Sequence, residues 1–224
     1  MNRPIRSYVL RQGRTTPAQQ RALDELFPKY GLPFALSPLD KKKIFGRNAP
    51  LMLEIGSGMG ETTAAIAAAQ PDADFIAVEV HGPGVGSLLN RIAAGKLSNV
   101  RVIRHDAMEV LEQMIGDGAL AAIHLFFPDP WPKKRHHKRR LVQPEFAALA
   151  ARKLAPGGVL HAATDWPEYA GHMLSVFEGE ENLERAAAGF VARPVTKFET
   201  RGRSLGHPIR DLYFRRRESA PSAR

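Results

Sequence analysis

The 224-residue chain carries 32 Lys and Arg against 23 Asp and Glu, a net charge of +9, and no cysteine. A field of that sign attracts anions, nucleic acid foremost, while the absence of thiols excludes disulfides, thiolate zinc sites and cysteine nucleophiles. No apolar run approaches the roughly 18 residues of a membrane span, and the opening MNRPIRSYVLRQGR lacks the apolar middle of a signal peptide, so we expect a cytoplasmic protein with no membrane partner.

Residues 1–49 read as a basic appendage, with one helix around PAQQRALDELF and then a loop punctuated by Pro and Gly. From residue 50 short apolar runs alternate with helix-period segments, the pattern of a parallel sheet covered by helices. The predicted strands are LMLEI (51–55), ADFIAVEV (73–80), VRVIRHD (100–106), LAAIHLFF (120–127) and GVLHAATD (158–165). Helices are expected in ETTAAIAAAQ, VGSLLNRIAAG, AMEVLEQMI, PEFAALAARKL and PEYAGHMLSVF. Two late strands, near FVARPV and DLYFRRR, have no convincing helix between them and are expected to form an antiparallel hairpin. This is an α/β fold of seven strands, occupying residues 50–217 and followed by a frayed tail at 218–224.

Open α/β sheets bind ligands at the carboxyl ends of their strands. Acids finish four of the runs: Glu54, Glu79, Asp106 and, just past the fourth strand, Asp129. After the first strand comes GSGMG, whose Gly56, Gly58 and Gly60 let the backbone turn tightly and approach a ligand. The phosphate-loop signature is absent, and the dinucleotide fingerprint would need glycine where Glu61 stands. A carboxylate opening that helix suits a cofactor without a pyrophosphate. Glu79 is placed to accept hydrogen bonds from ribose hydroxyls, and Asp106 to accept from an adenine amino group or to cap the following helix. A nucleoside with a cationic tail fits this acid-lined cleft, and S-adenosyl-L-methionine is such a molecule.

In FPDPWPKKRHHKRR, Asp129 stands between two prolines, either as a turn residue or as a rigidly held carboxylate. Trp131 either stacks on a base or seals the edge of the core. The basic run that follows, including Arg135, Lys138, Arg139 and Arg140, lies at the ligand edge of the sheet, where a polyanion would enter. The adjacent His136 and His137 lack other spaced ligands, so no metal is expected and we read them as RNA contacts.

LEIGSGMGE, AVEVHGPGVGSLL, FPDPWPKKRHHKRR, ATDW and TKFETRGRSLGHPIRDLYF together resemble bacterial tRNA (guanine-N(7)-)-methyltransferases, and the likeness runs from about residue 5 to 216. Pro132 stands where His is expected in many relatives. The resemblance implies a class I, Rossmann-like, S-adenosylmethionine-dependent methyltransferase that modifies the guanine at position 46 of the tRNA variable loop. It implies that Glu54, Glu79, Asp106 and Asp129 bind the cofactor, with Asp129 also catalytic. Lys133, Asp165, Thr196, Lys197, Phe198 and Glu199 would contact substrate, and residues 135–140 would lie against the RNA. Oligomeric state is not specified by any of these features.

Overall fold

The computed structural model describes residues 6–9, 13–187, 193–196, 199, 200, 204 and 206–218. Five parallel strands form its centre: β1 (Leu51–Ile55), β2 (Asp74–Val78), β3 (Val100–Ile103), β4 (Leu120–Phe126) and β5 (Leu154–Thr164). Two further strands, β6 (Leu183–Arg185) and β7 (Arg210–Arg216), complete a seven-stranded sheet of order β3-β2-β1-β4-β5-β7-β6. β7 pairs antiparallel with both β5 and β6. The order reverses between β1 and β4, and parallel strands flanking such a reversal diverge into a crevice at their carboxyl ends.

Helices cover both faces because the strands are apolar on both. On one face lie α1 (Pro17–Glu25), α4 (Glu61–Ala69) and α5 (Gly82–Ala94), which bury Ala22, Ile66, Val85 and Leu89 against Phe75 and Val102. On the other lie α6 (Ala107–Met114), α7 (Pro144–Lys153) and α8 (Pro167–Glu178), which bury Leu111, Phe146, Tyr169 and Phe177 against Leu53 and Ile123. Their positions match the helices expected from periodicity.

The N-terminal residues contribute more structure than their punctuation suggests. α1 begins in a capping box between Thr16 and Gln19, and it packs on α5 so closely that a Cβ on Gly86 would sit 2.6 Å from the Gln19 carbonyl oxygen. Two short helices, α2 (Phe27–Tyr30) and α3 (Lys41–Phe45), follow. Between them the Leu32 N–H donates to the Val102 carbonyl at 2.8 Å, which lays the chain along the outer edge of β3. Of the stretch FVARPV expected to hold a strand, residues 193–195 are not in one and residues 190–192 lie outside the described residues, while β6 lies earlier, at Leu183–Arg185. Glu184 and Arg185 leave β6 little apolar signal, and its position is set by pairing with β7.

Candidate active site

The turn after β1 is built by three glycines in the left-handed region, Gly56, Gly58 and Gly60, with φ of 73°, 55° and 78°. A Cβ on Gly60 would come within 2.6 Å of Leu88 on α5, so close helix packing excludes a side chain there. At Gly56 and Gly58 no atom lies within 4 Å of the Cβ position, so open space fronts the turn. α5 supports it from behind, where a Cβ on Gly84 would lie 2.5 Å from the Gly58 carbonyl oxygen.

Glu79, just past β2, is tied to this turn. Its Oε2 accepts from the Gly58 N–H at 2.7 Å, and its Oε1 accepts from the N–H groups of Val80 and His81 at 2.8 and 2.9 Å. An ionised carboxylate has about four acceptor positions, so further capacity for a donor remains on Oε2. Glu54, 5% exposed, accepts from the Thr63 hydroxyl at 2.7 Å. Burial pushes its carboxyl up to about 7, the Thr63 hydrogen bond opposing this and the neighbouring Glu79 charge adding to it. An acid in that state gains from a cation placed beside it. Asp106 caps α6 by accepting from the Met108 N–H at 2.8 Å, and its charge, after burial itself, holds the Tyr8 phenol above its usual range.

Asp129 is exposed on the turn between Pro128 and Pro130. Phe127 and Trp131 on either side have φ of 52° and 46°, a conformation that non-glycine residues adopt at a cost. The turn is held from three sides. The Phe127 N–H donates to the Ala163 carbonyl at 2.7 Å, extending the pairing beyond the end of β4. Arg140 donates through Nε to the Pro130 carbonyl at 2.8 Å and through both terminal nitrogens to Glu168, with its guanidinium 4.7 Å from the Tyr169 ring centroid. The Trp131 indole N–H donates to the Ser7 carbonyl at 3.1 Å.

These elements enclose a crevice of about 260 Å³ whose walls include Gly56, Gly58, Glu79, Phe127, Asp129 and Tyr8. Glu54 and Asp106 are not among these walls, Glu54 being buried against Thr63. The open space before the glycines and the acceptor capacity on Glu79 suit a nucleoside.

Past the turn, residues Lys134–Arg139 form a short 3₁₀ helix. Lys133, Lys134, Arg135 and Lys138 are exposed, while His136 packs edge-on against Trp131, with ring centroids 5.8 Å apart. His137 is partly buried, and its Nε2 has no hydrogen-bond partner among the described residues. Arg139 lies over Trp131, 4.2 Å from the ring centroid. Arg140, expected among the RNA contacts, is instead 2% exposed and turned inward, because a buried guanidinium is stable only with the carboxylate, carbonyl and ring it finds there.

Asp165, just past β5, stands 3.9 Å from His207. The Thr196 hydroxyl accepts from the Glu199 N–H at 3.0 Å, and Glu199, 3% exposed, is ion-paired with Arg193. Lys197 and Phe198 lie outside the described residues. Sequence reasoning missed Arg193, Ser7 and Tyr8. They reach the site through contacts spanning up to 124 residues, which no local pattern announces.

The reversed parallel sheet, the glycine turn at its crevice and the acids at successive strand ends define a class I S-adenosylmethionine-dependent methyltransferase. Solved structures with this fold include the 16S rRNA methyltransferase KamB (TM-score 0.59, 14% identity, 82% of this chain and 95% of that one). They also include an adenine-N(1) 16S rRNA methyltransferase from Catenulisporales acidiphilia with its cosubstrate SAM (TM-score 0.56, 15% identity, 84% and 96%). Residues 48–212 match a family model described as "Putative methyltransferase". A tRNA (guanine-N(7)-)-methyltransferase from Aromatoleum aromaticum is 61% identical over 220 residues, covering 96% of this chain and 85% of that protein. The chain belongs to the tRNA (guanine-N(7)-)-methyltransferase family.

Proposed function

We propose that this protein transfers a methyl group from S-adenosyl-L-methionine to N7 of a guanine in tRNA, position 46 of the variable loop, and that it does so in the cytoplasm. The observation that carries the reading is the placement of Asp129. It is an exposed carboxylate on a clamped, strained turn, sharing one crevice with Glu79 and the glycine turn, and the basic 3₁₀ helix begins five residues later.

Guanine N7 carries a lone pair and no proton, so methylation there needs no base to remove hydrogen. When bound, the cofactor supplies an electrophilic methyl on a sulfonium. The protein's part is orientation, which can account for much of the rate of such a displacement. Glu79 and the glycine turn hold the nucleoside half, and Glu54 faces the cationic tail. Positive charge develops on the purine during transfer, and Asp129, already fixed in place, stabilises it. Asp165, Lys133 and the segment 196–199 hold the base, while Lys134, Arg135 and Lys138 meet the phosphates of the tRNA. A variable-loop base is readily splayed out for such contact.

Incubation with labelled S-adenosylmethionine and unmodified tRNA tests this reading, the label being mapped by aniline cleavage. Label at an aniline-sensitive guanine in the variable loop is expected. Label confined to other positions would overturn the assignment.

A further inference from the structure

Arg193 lies behind the crevice wall formed by Phe126 and Phe127, in the FVARPV stretch to which the sequence assigned no functional role. Its side chain is 7% exposed. Nε and Nη2 grip the two oxygens of Asp211 on β7 at 2.8 and 3.0 Å, while Nη1 donates to Oε2 of Glu199. The guanidinium carbon sits 5.9 and 5.3 Å from the ring centroids of Phe126 and Phe127, the residues that lead into the Asp129 turn. Asp211 is held from the other side by His161 on β5, whose Nε2 is 2.8 Å from Oδ1. One planar group thus joins β7, the exit of β4 and the segment containing Glu199.

A guanidinium fork has fixed geometry, and its bidentate match to a carboxylate fixes the third nitrogen in direction as well as distance. We infer that Arg193 is a positioning residue for the base-holding end of the site, setting Glu199 and the Phe127 to Asp129 turn in register for methyl transfer. It governs how the base is presented once bound, not whether RNA is captured, because its charge is buried away from the exposed basic helix and engaged by two carboxylates. This rests on the proposed role of Glu199 and Asp129 above.

Arg193→Met and Arg193→Lys in the full chain test it. The Lys variant keeps a buried charge and guards against an Arg193→Met protein that fails to fold. Single-turnover transfer at saturating tRNA and cofactor should fall about 100-fold in the Met variant and about 10-fold in the Lys variant, on the scale expected of small misplacements. Dissociation constants for tRNA and cofactor should stay within about threefold of wild type, on the ordinary scale of context-dependent affinity changes. In a cycle with Glu199→Gln, the double variant should lose no more than the worse single variant, since residues acting as a unit are not additive. Unchanged transfer rates in both variants, parallel losses of tRNA affinity and rate, or additive losses in the cycle would overturn the inference. Each ratio is taken against the wild type's own mapped product. If that product is not N7-methylguanine the proposed function fails, while the comparison for Arg193 still stands.

Discussion

The Trp131 indole donates to the main chain of Ser7, so the side chain that ends the PDPW turn also holds the N-terminal segment over the crevice. Ser7 and Tyr8 line the same crevice as Glu79 and Asp129. Trp131 is therefore engaged in this structure, packed between Arg139 and His136, and its role is that of an anchor. Trp131→Phe removes the donor and keeps most of the ring. A missing hydrogen bond of about 1 kcal/mol should weaken cofactor binding roughly fivefold. Calorimetric titration checks this, and the N-terminal segment should become more sensitive to limited proteolysis.

Asp129→Asn keeps the shape of the turn and removes the charge. With orientation intact and only charge stabilisation removed, single-turnover transfer should fall by about 100-fold or more, while tRNA binding persists. Rapid-quench kinetics beside a filter-binding isotherm separates the two. Wild-type turnover in this variant would remove the carboxylate from the chemistry.

Glu54 makes stability and cofactor binding depend on pH in opposite senses. Its folded value is raised from 4.5 to about 7 by burial, opposed by Thr63 and reinforced by Glu79. Between those values the unfolded chain loses the proton and the native chain keeps it. Stability therefore falls as pH rises through that window, by on the order of 3 kcal/mol in total. Glu54→Gln should raise the melting temperature of the cofactor-free protein at pH 8 and leave it nearly unchanged at pH 4. With Glu54 in the proposed role toward the cofactor's cationic tail, the same variant should bind cofactor about tenfold more weakly at pH 8, because the ionised acid is gone. Thermal melts at both pH values, with a titration at pH 8, measure both effects.

Alanine at Lys134, Arg135 and Lys138 together should weaken tRNA binding and flatten its dependence on salt. Each phosphate that is no longer neutralised reduces the slope of log K against log salt by about 0.7 to 0.9, so the triple variant should change it by roughly 2. Arg140 behaves differently. Arg140→Met removes the clamp on Pro130 and leaves Glu168 without its partner, so it should lower the melting temperature with no change in salt slope. Comparing the two sets of variants distinguishes surface charge from buried charge within one run of sequence.

The fold was legible because its signals are local. Apolar runs such as LMLEI and DFIAV read as strands wherever they sit, and the intervening periodicity reads as helix. Glu79, Asp129, Gly56 and Gly58 meet at one crevice for the same reason, since a parallel sheet delivers every strand end to one edge. β6 is not legible in the sequence, because a three-residue strand containing Glu184 and Arg185 carries almost no pattern of its own. Gly84 lies ahead of the helix expected in VGSLLNRIAAG, and its closeness to the Gly58 carbonyl is shown only by the structure.

The basic run shows the limit of sequence most clearly. Its composition, and its place directly after the fourth expected strand, established a cationic segment at the ligand edge of the sheet. Only the tertiary structure decided that Lys134, Arg135 and Lys138 face solvent while Arg140 turns in to Glu168 and Tyr169. The same holds for Glu199, whose carboxylate was legible as a candidate but whose partner Arg193, and through it Asp211 and Phe127, was not. Charge and periodicity are properties of residues in order along the chain. Pairing inside a low-dielectric interior depends on which groups the packing of distant elements brings within a few ångströms, and that is fixed only when the whole sheet has closed around them.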